Sequence, residues 1–419
     1  MINTARLFTE EKDYVKASIG RKGYDVSTID ELYEILSVVK ETRKTLENMR
    51  RQRNLYQKDK SISVEEKREI RDEIARIENE LIPLEERANE LLYDIPNLPD
   101  DDAPDGLEES DNVVIEACDD YYKCKVDQPL PHWEVAKKLD ILDIEMASKI
   151  SGSKFSLFKG KGSKLIRALI HYCFSLHEDK YLEFLPPHMV STRSLTYTGH
   201  LPKFAVDQFK CKDDDLWMIP TAEVPLTAAF SDTTFKAGEL PMRGMGYTVA
   251  FRREAGGGGK DNRGLQRLHE FHKVELLKIV EPHQMEPEVQ DLLKDCLTII
   301  KALKLQYRIV DLCAGDMGDK YARCYDIEVF APGVQRWLEV SSVGNFSDYQ
   351  ARRANIKYVD ENGKKKVAYT LNGSGMATPR VWAAIVETYQ QDDGSVVIPD
   401  VLVPYMGCSE ITPTEKDNI

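Results

Sequence analysis

Residues 249–277 read VAFRREAGGGGKDNRGLQRLHEFHKVELL, and this stretch decides the fold class. Two strand patterns flank a glycine-rich turn signal, so it predicts an antiparallel hairpin. Successive side chains of a strand alternate between faces. Arg252 and Glu254 therefore share one face of the first strand, and Arg267, Phe271 and Glu275 share one face of the second. The hairpin aims two arginines, an aromatic ring and carboxylates at one region. Arginine's planar fork suits carboxylate and phosphate, and an aromatic face suits a flat ring such as a nucleobase. A cross-strand ion-pair ladder would account for the charges but not for Phe271 among them. A phosphate-binding P-loop is excluded, because Asp261 stands where Ser or Thr would hold Mg2+ and no helix pattern follows. The glycines are expected to keep the loop mobile and slim enough to approach a large partner.

Around the hairpin, helix and strand patterns alternate from residue 132 onward. KGKGSKLIRALIHYCFSLHEDK (159–180) reads as an amphipathic helix, followed by the short strand YLEFL and the stop Pro186–Pro187. Turn signals at Gly244–Gly246, Gly256–Gly264 and Glu361–Gly363 complete an α+β pattern, a mainly antiparallel sheet with helices on it. Three further segments carry chemistry. In IPTAEVPLT (219–227), read as a strand, Thr221 and Glu223 share a face, and a hydroxyl beside a carboxylate can receive an ammonium group; an ordinary strand reads the same way. In QRWLEVSSVGNFSDYQARRANIKY (335–358), Glu339 with Ser341 and Ser342 offers hard oxygen ligands suited to Mg2+ beside a phosphate. Glu339 and Ser342 have opposite strand parity, so joint ligation needs a bulge or a strand end. In YTLNGSGMATPRVWAAIVE (369–387), Asn372 and Ser374 share parity, Gly375 and Pro379 break the strand, and Arg380 opens a helix.

Upstream, the pattern is different. Ile70, Ile74, Ile77, Leu81, Leu84, Ala88 and Leu91 step by four and three, and Leu32, Ile35, Val39, Thr42, Leu46, Met49 and Tyr56 keep the same rhythm. This is the seam of an antiparallel helical hairpin over 28–93, with arms of about 30 residues and so roughly 45 Å long. Ser63 and Glu66 form a capping-box pattern for the second arm, and Pro83 is expected to kink or loosen it. Residues 94–131 are rich in proline and acid and read as a linker.

Composition sets outer bounds. The 419 residues carry 57 Lys and Arg against 71 Asp and Glu, a net charge of −14. A chain so acidic is no general nucleic-acid coat, yet one local basic patch suffices for binding. Lys40, Arg43, Lys44, Arg50, Arg51, Arg53, Lys58 and Lys60 supply such a patch on the arm; an ordinary solvated helix face has the same look. The eight cysteines are scattered without a C-x-x-C pair, so reduced thiols and no zinc site are expected. No apolar run reaches the length of a membrane span and no secretory signal is visible, which points to the compartment of synthesis, the cytoplasm.

With these motifs in hand, the chain resembles the bacterial-type seryl-tRNA synthetase family of class II, from the helical hairpin to PYMG near position 407. FRREAG with RLHEFHKVE is similar to that class's second motif, LNGSGMATPR to its third, and the helix ending at Pro186–Pro187 to its first, dimer-forming motif. The resemblance implies a tRNA-binding domain over 1–100, a linker over 101–131 and a class II catalytic domain over 132–419. It implies that Thr221 and Glu223 hold the serine ammonium group, that Glu275, Asn372 and Ser374 surround the serine hydroxyl, and that Arg252 bridges the serine carboxylate and the α-phosphate of ATP. Phe271 and Arg380 would sandwich the adenine, with Arg253, Glu254 and Leu268 among the ATP contacts and Arg267 at the outer phosphates. Glu339 and Ser342 would hold Mg2+, with Val340 and Ser341 lining the nucleotide site. Arg252 and Glu339 are the implied catalytic pair. Arg43, Lys44, Arg50, Arg51 and Arg53 would grip tRNA(Ser), and tRNA(Sec) where present, in a homodimer. Val343-Gly344-Asn345 and His272 depart from the family's common Cys-Ser-Asn and Glu, at positions without an implied role. A paralogue that loads a carrier protein would have lost the arm, and a non-enzymatic relative would have lost its nucleotide-site residues; neither has gone.

Overall fold

A computed structural model describes residues 1–118, 120–254 and 263–413. The chain divides into two compact units, Met1–Pro99 and Asp100–Ile419.

In the first unit, helix α1 (Lys12–Arg21) precedes the long helices α2 (Ser27–Lys58) and α3 (Val64–Asp94). Val39, Leu46, Ile70, Ile74, Ile77 and Leu81 are buried along the α2–α3 seam, flanked by Ile35, Met49, Tyr56 and Leu84. At its base, Leu7, Val15 and Ile19 close a second core with Ile29, Leu32, Leu91 and Leu92. The capping box forms in full: Ser63 Oγ accepts from the Glu66 N–H at 3.2 Å, and Glu66 Oε2 accepts from the Ser63 N–H at 2.9 Å. Helix α3 runs uninterrupted through Pro83. A mid-helix proline costs about 3 kcal/mol, and seam residues buried on both sides of it, Leu81 and Ala88, hold the helix together.

Among the described residues, the main sheet of the second unit has eight strands: β1 (Val113–Ala117), β2 (Leu182–Phe184), β3 (Met242–Phe251), β4 (Glu270–Val280), β5 (Tyr307–Asp311), β6 (Arg323–Ala331), β7 (Arg336–Asn345) and β8 (Tyr369–Ala377). They form one sheet in the order β1-β5-β6-β7-β8-β4-β3-β2, antiparallel except for the β2–β3 pair. Helices α4 (Gly160–His177), α5 (Met285–Ala302) and α6 (Thr378–Thr388) join the sheet in the main core, through Leu165, Leu169, Leu292, Ile299, Trp382 and Ile385. Gly373 of β8 allows this packing, because a Cβ there would meet Cys296 Sγ of α5 at 2.6 Å. Among the described residues no helix is long and apolar enough to cross a membrane.

Four expectations need correction. The stretch expected as a linker carries β1, which pairs with β5 from Val113 to Ala117 and belongs to the second unit. Gly244 and Gly246 lie inside β3, not at a turn. A Cβ at either would come within 3.0 Å of the Phe184 ring or 3.1 Å of its carbonyl oxygen, so the glycines admit β2. IPTAEVPLT is no strand: a bend at Thr221 leads into the helical turn Glu223–Ala228. Pro225 falls in that first turn, where a missing N–H costs nothing, and just before it Thr221 Oγ1 accepts from the Glu223 N–H at 3.3 Å. Gly375 does not end β8 but marks a bulge between Ser374 and Met376. The glycine loop with Asp261 lies outside the described residues up to Asn262.

Candidate active site

The sheet face opposite α5 walls a cavity of about 300 Å³. Strand register explains its lining. In β4, Phe271, Lys273 and Glu275 share one face while Val274 and Leu276 enter the core; in β8, Asn372 and Ser374 face the cavity while Leu371 and Gly373 face the helices. In β7 a bulge between Glu339 and Ser341 shifts the register and brings Glu339 and Ser342 together, with Ser342 Oγ donating to Glu339 Oε1 at 3.0 Å.

One end of the cavity is built from buried acid and cation pairs. Glu223 accepts from Lys320 Nζ at 2.6 and 2.9 Å and from Gln350 Nε2 at 2.7 Å. Thr221 Oγ1 donates to Glu275 Oε2 at 2.8 Å, which also pairs with Lys273 Nζ at 2.6 Å. Glu275 Oε1 is buried and receives no hydrogen bond among the described residues. Asn372 Nδ2 donates to the Leu276 carbonyl at 3.0 Å. His200 sits close by, its Nδ1 2.8 Å from Thr198 Oγ1. Burial, ahead of the Lys320 charge, pushes its pKa down to about 3, so its imidazole is neutral.

The other end is rich in arginine. The Arg252 guanidinium lies 5.1 Å from the Phe271 ring centroid, and its Nε donates to the Pro220 carbonyl at 3.3 Å. Arg267 Nη1 pairs with Glu254 Oε2 at 3.1 Å. Arg380 Nη1 donates to the Glu339 carbonyl at 2.7 Å and lies 3.4 Å from its carboxylate. Crowding by protein raises the Glu339 carboxyl, but Arg380, then Ser342, Arg252 and Lys273, outweigh it and hold the group below its ordinary value. Across the bulge, burial and the Glu339 charge push Asp326 well above the carboxylate range.

The structure thus brings to one cavity Thr221, Glu223, Arg252, Glu254, Arg267, Leu268, Phe271, Glu339, Val340, Ser342, Asn372, Ser374 and Arg380. Three expected residues stand apart from its lining. Glu275 sits behind Thr221. Ser341 is turned inward by the bulge and donates to the Ser374 carbonyl at 2.6 Å. The Arg253 guanidinium lies over the Phe209 ring, 5.9 Å from its centroid. Lys273, His200, Lys320, Tyr321 and Gln266 line the cavity without having been read from the sequence. Lys273 has the strand parity of Phe271 and Glu275, a signal that was there to use. Lys320 and His200 lie in irregular segments with no periodicity to give them away.

The wall is tied to the rest of the unit by a buried pair. His132 Nδ1 donates to Glu387 Oε1 at 2.7 Å while its Nε2 accepts from the Leu265 N–H at 3.0 Å. Glu387 Oε2 accepts from the Gly333 and Val334 N–H groups at 2.8 and 3.1 Å.

Residues 1–99 match the family described as Seryl-tRNA synthetase N-terminal domain, and residues 204–389 the tRNA synthetase class II core domain (G, H, P, S and T). The serine–tRNA ligase of Geobacter sulfurreducens is 42% identical over 414 residues, 96% of this chain and 98% of that protein. The chain belongs to the seryl-tRNA synthetase family. The serine–tRNA ligase of Gloeothece citriformis is 47% identical over 352 residues, covering 82% of this chain and 81% of that protein. Among solved structures, seryl-tRNA synthetase from Pyrococcus horikoshii complexed with ATP superposes with a TM-score of 0.91 at 30% identity, covering 99% of this chain and all of that one. The cytoplasmic serine–tRNA ligase of Naegleria fowleri in complex with AMP gives 0.87 at 25% identity, over 98% of both chains. Class II seryl-tRNA synthetases are ATP-dependent ligases, and this chain has their antiparallel sheet and N-terminal helical arm.

Proposed function

We propose that the protein joins L-serine to tRNA(Ser), and to tRNA(Sec) where present, with both chemical steps in the cavity between Glu223 and Arg380. One observation carries this reading: a buried acid-lined end fit for an ammonium group and an arginine-lined end fit for a nucleotide open into the same space. Serine binds with its ammonium at Glu223 and Thr221. Its hydroxyl donates to Glu275 Oε1, which has no partner among the described residues, beside Asn372 and Ser374. ATP lies with its adenine between Phe271 and Arg380, its ring edge near Glu254 and Leu268, and its outer phosphates at Arg267.

The serine carboxylate attacks the α-phosphorus, the bond to the bridging oxygen breaks, and pyrophosphate leaves with that electron pair. Arg252, between the carboxylate and the α-phosphate, meets the charge that develops in this step; positioning and charge stabilisation carry the catalysis without a protein nucleophile. The terminal ribose hydroxyl of the tRNA then takes the acyl group, and AMP leaves. Glu339 and Ser342 would hold Mg2+, which supplies neutralisation of phosphate charge when bound; the bulge that joins their oxygens supports this assignment. Glu275 and Asn372 give selectivity for serine, since alanine would leave buried polar groups unpaired.

Residues 1–100 serve as the tRNA-binding domain and 132–419 carry the chemistry. On α2, Arg43, Lys44, Arg50, Arg51 and Arg53 contact the tRNA backbone. Arg43 and Arg50 are spent on exposed pairs with Glu85 and Glu78 at 2.7 and 2.6 Å, and such pairs exchange cheaply for phosphate. The protein works as a cytoplasmic homodimer, a reading supported by the likeness of α4, β2 and Pro186–Pro187 to the dimer-forming motif. Serine-dependent exchange of pyrophosphate into ATP, followed by acid-precipitable transfer of labelled serine to tRNA, tests the whole scheme. Exchange with alanine or threonine equal to that with serine would refute it.

A further inference from the structure

Glu223, assigned above to the serine ammonium, is already held by a cation of the chain. Lys320 Nζ contacts both carboxylate oxygens, and Gln350 Nε2 takes a further acceptor position. A carboxylate offers about four such positions, so the set leaves room for one more donor. The Lys320 ammonium is fixed on its far side as well. It lies 5.2 Å from the Tyr321 ring centroid and 5.4 Å from that of Phe346, two rings stacked at 4.9 Å. Lys320 and Glu223 both line the cavity, so this pair is part of the surface the substrate meets.

We propose that Lys320 is a positioning residue for serine: its ammonium keeps Glu223 ionised and oriented in the free enzyme, so that the substrate ammonium finds a carboxylate ready to accept it. The proposal rests on the reading of Glu223 as the ammonium site. The charges around Glu223 leave this task to Lys320. From β4, Lys273 is committed to Glu275 at 2.6 Å. From the end of β3, Arg252 turns to Phe271 and the Pro220 carbonyl. From the segment after Tyr197 comes His200, which is neutral. From helix Tyr349–Ala354, Gln350 donates without charge, and Arg353 donates to the Thr196 carbonyl at 3.3 Å. Glu223 is only 2% exposed. Burial pushes its carboxyl up, and Lys320, ahead of the other groups, more than offsets this. Without that ammonium the buried acid would hold a proton near neutrality and would have to release it before a second ammonium could bind.

The test is serine-dependent ATP–pyrophosphate exchange from pH 6 to 9 for the full chain and its Lys320→Met, Lys320→Gln and Lys320→Arg variants, with melting curves as a check on folding. For both neutral variants, kcat/KM for serine should fall about tenfold for each pH unit below the raised carboxyl pKa and approach the parent value at the alkaline end. KM for ATP should stay within about twofold, and Lys320→Arg should follow the parent. A change in serine KM of either sign that is uniform across pH would overturn the proposal; a uniform decrease would mean that Lys320 competes with the substrate. Glu223→Gln separates the two layers: if it leaves serine KM unchanged, the ammonium assignment itself fails.

Discussion

Replacing Arg50, Arg51 and Arg53 together with alanine should separate tRNA binding from amino-acid activation. Arg50 pairs with Glu78 at 2.6 Å and Arg51 with Glu47 at 2.5 Å, all four side chains being well exposed, while Arg53 Nη2 donates to Asn54 at 3.3 Å. Exposed pairs of this kind contribute about 0–1 kcal/mol each. The arm is held by Leu46, Ile70, Ile74 and Ile77, so it stays folded without them. Each phosphate contact contributes roughly 0.7–0.9 to the slope of log affinity against log salt. Three contacts therefore carry a slope of about 2.1–2.7. Between 50 and 200 mM salt, the tRNA KM of the parent should rise about 20–40 times more than that of the variant. Steady-state serylation at several salt concentrations reads this slope, and pyrophosphate exchange without tRNA should stay nearly unchanged. Exchange lost in parallel with serylation, or an unaltered salt slope, would refute the division of labour between arm and cavity.

Other perturbations address the cavity. Arg252→Ala should lower exchange kcat by about 10²–10³-fold, the effect of removing one preorganised charge donor, with the melting temperature little changed. Glu275→Gln should compress the ratio of kcat/KM for serine over alanine by about 10–100-fold, since a buried unpaired acceptor costs about 1–3 kcal/mol; an unchanged ratio would free Glu275 from the hydroxyl. His132→Ala strips partners from the Leu265 N–H and from Glu387, both buried, and should cost about 2–5 kcal/mol in chemical denaturation while raising KM for ATP more than KM for serine. His200 has a folded pKa of about 3, below its ordinary value of 6.5. The unfolded chain therefore binds a proton there first as pH falls, and stability present above pH 6.5 is lost progressively toward pH 3. His200→Asn should flatten that part of a melting-temperature profile.

What the sequence made legible follows from which signals are local. The heptad steps from Ile70 to Leu91 and the Ser63–Glu66 box fix a helix and its start using neighbours within four residues, and both appear in the structure. Strand parity placed Phe271 with Glu275 and Asn372 with Ser374, and the opposite parity of Glu339 and Ser342 called for a bulge or a strand end, of which β7 has the bulge. The failures lie where tertiary packing outweighs a short pattern. Period-two alternation in IPTAEVPLT is too brief to distinguish a strand from a short helical turn. Glycines at 244 and 246 look like turn residues until Phe184 of a strand far away in sequence lies across them. The acid-rich stretch around β1 gains its strand only by pairing with β5, roughly 200 positions later.

The pairing of charges explains why one arginine stands out. Among the described residues, five cationic side chains line the cavity, and four have a carboxylate partner: Lys320 with Glu223, Lys273 with Glu275, Arg267 with Glu254 and Arg380 with Glu339. Arg252 forms no ion pair among the described residues and rests on a ring face and one carbonyl. Its charge is available to a substrate without first being taken from the protein. The four pairs divide further by exposure. Those of Lys320 and Lys273 involve acids that are 3% and 0% exposed, whereas the side chains of Arg267 and Arg380 are 45% and 31% exposed. Breaking a buried pair leaves an uncompensated charge in low dielectric, at a cost of several kcal/mol, while an exposed pair rearranges for about 0–1 kcal/mol. On the substrate placement proposed above, the serine end is the one with buried pairs, suited to discrimination between small side chains, and the phosphate end is the one whose exposed pairs can change partners as pyrophosphate forms and departs. Arg252 belongs to neither set of pairs, and this is what suits it to the place proposed for it, between the serine carboxylate and the α-phosphate.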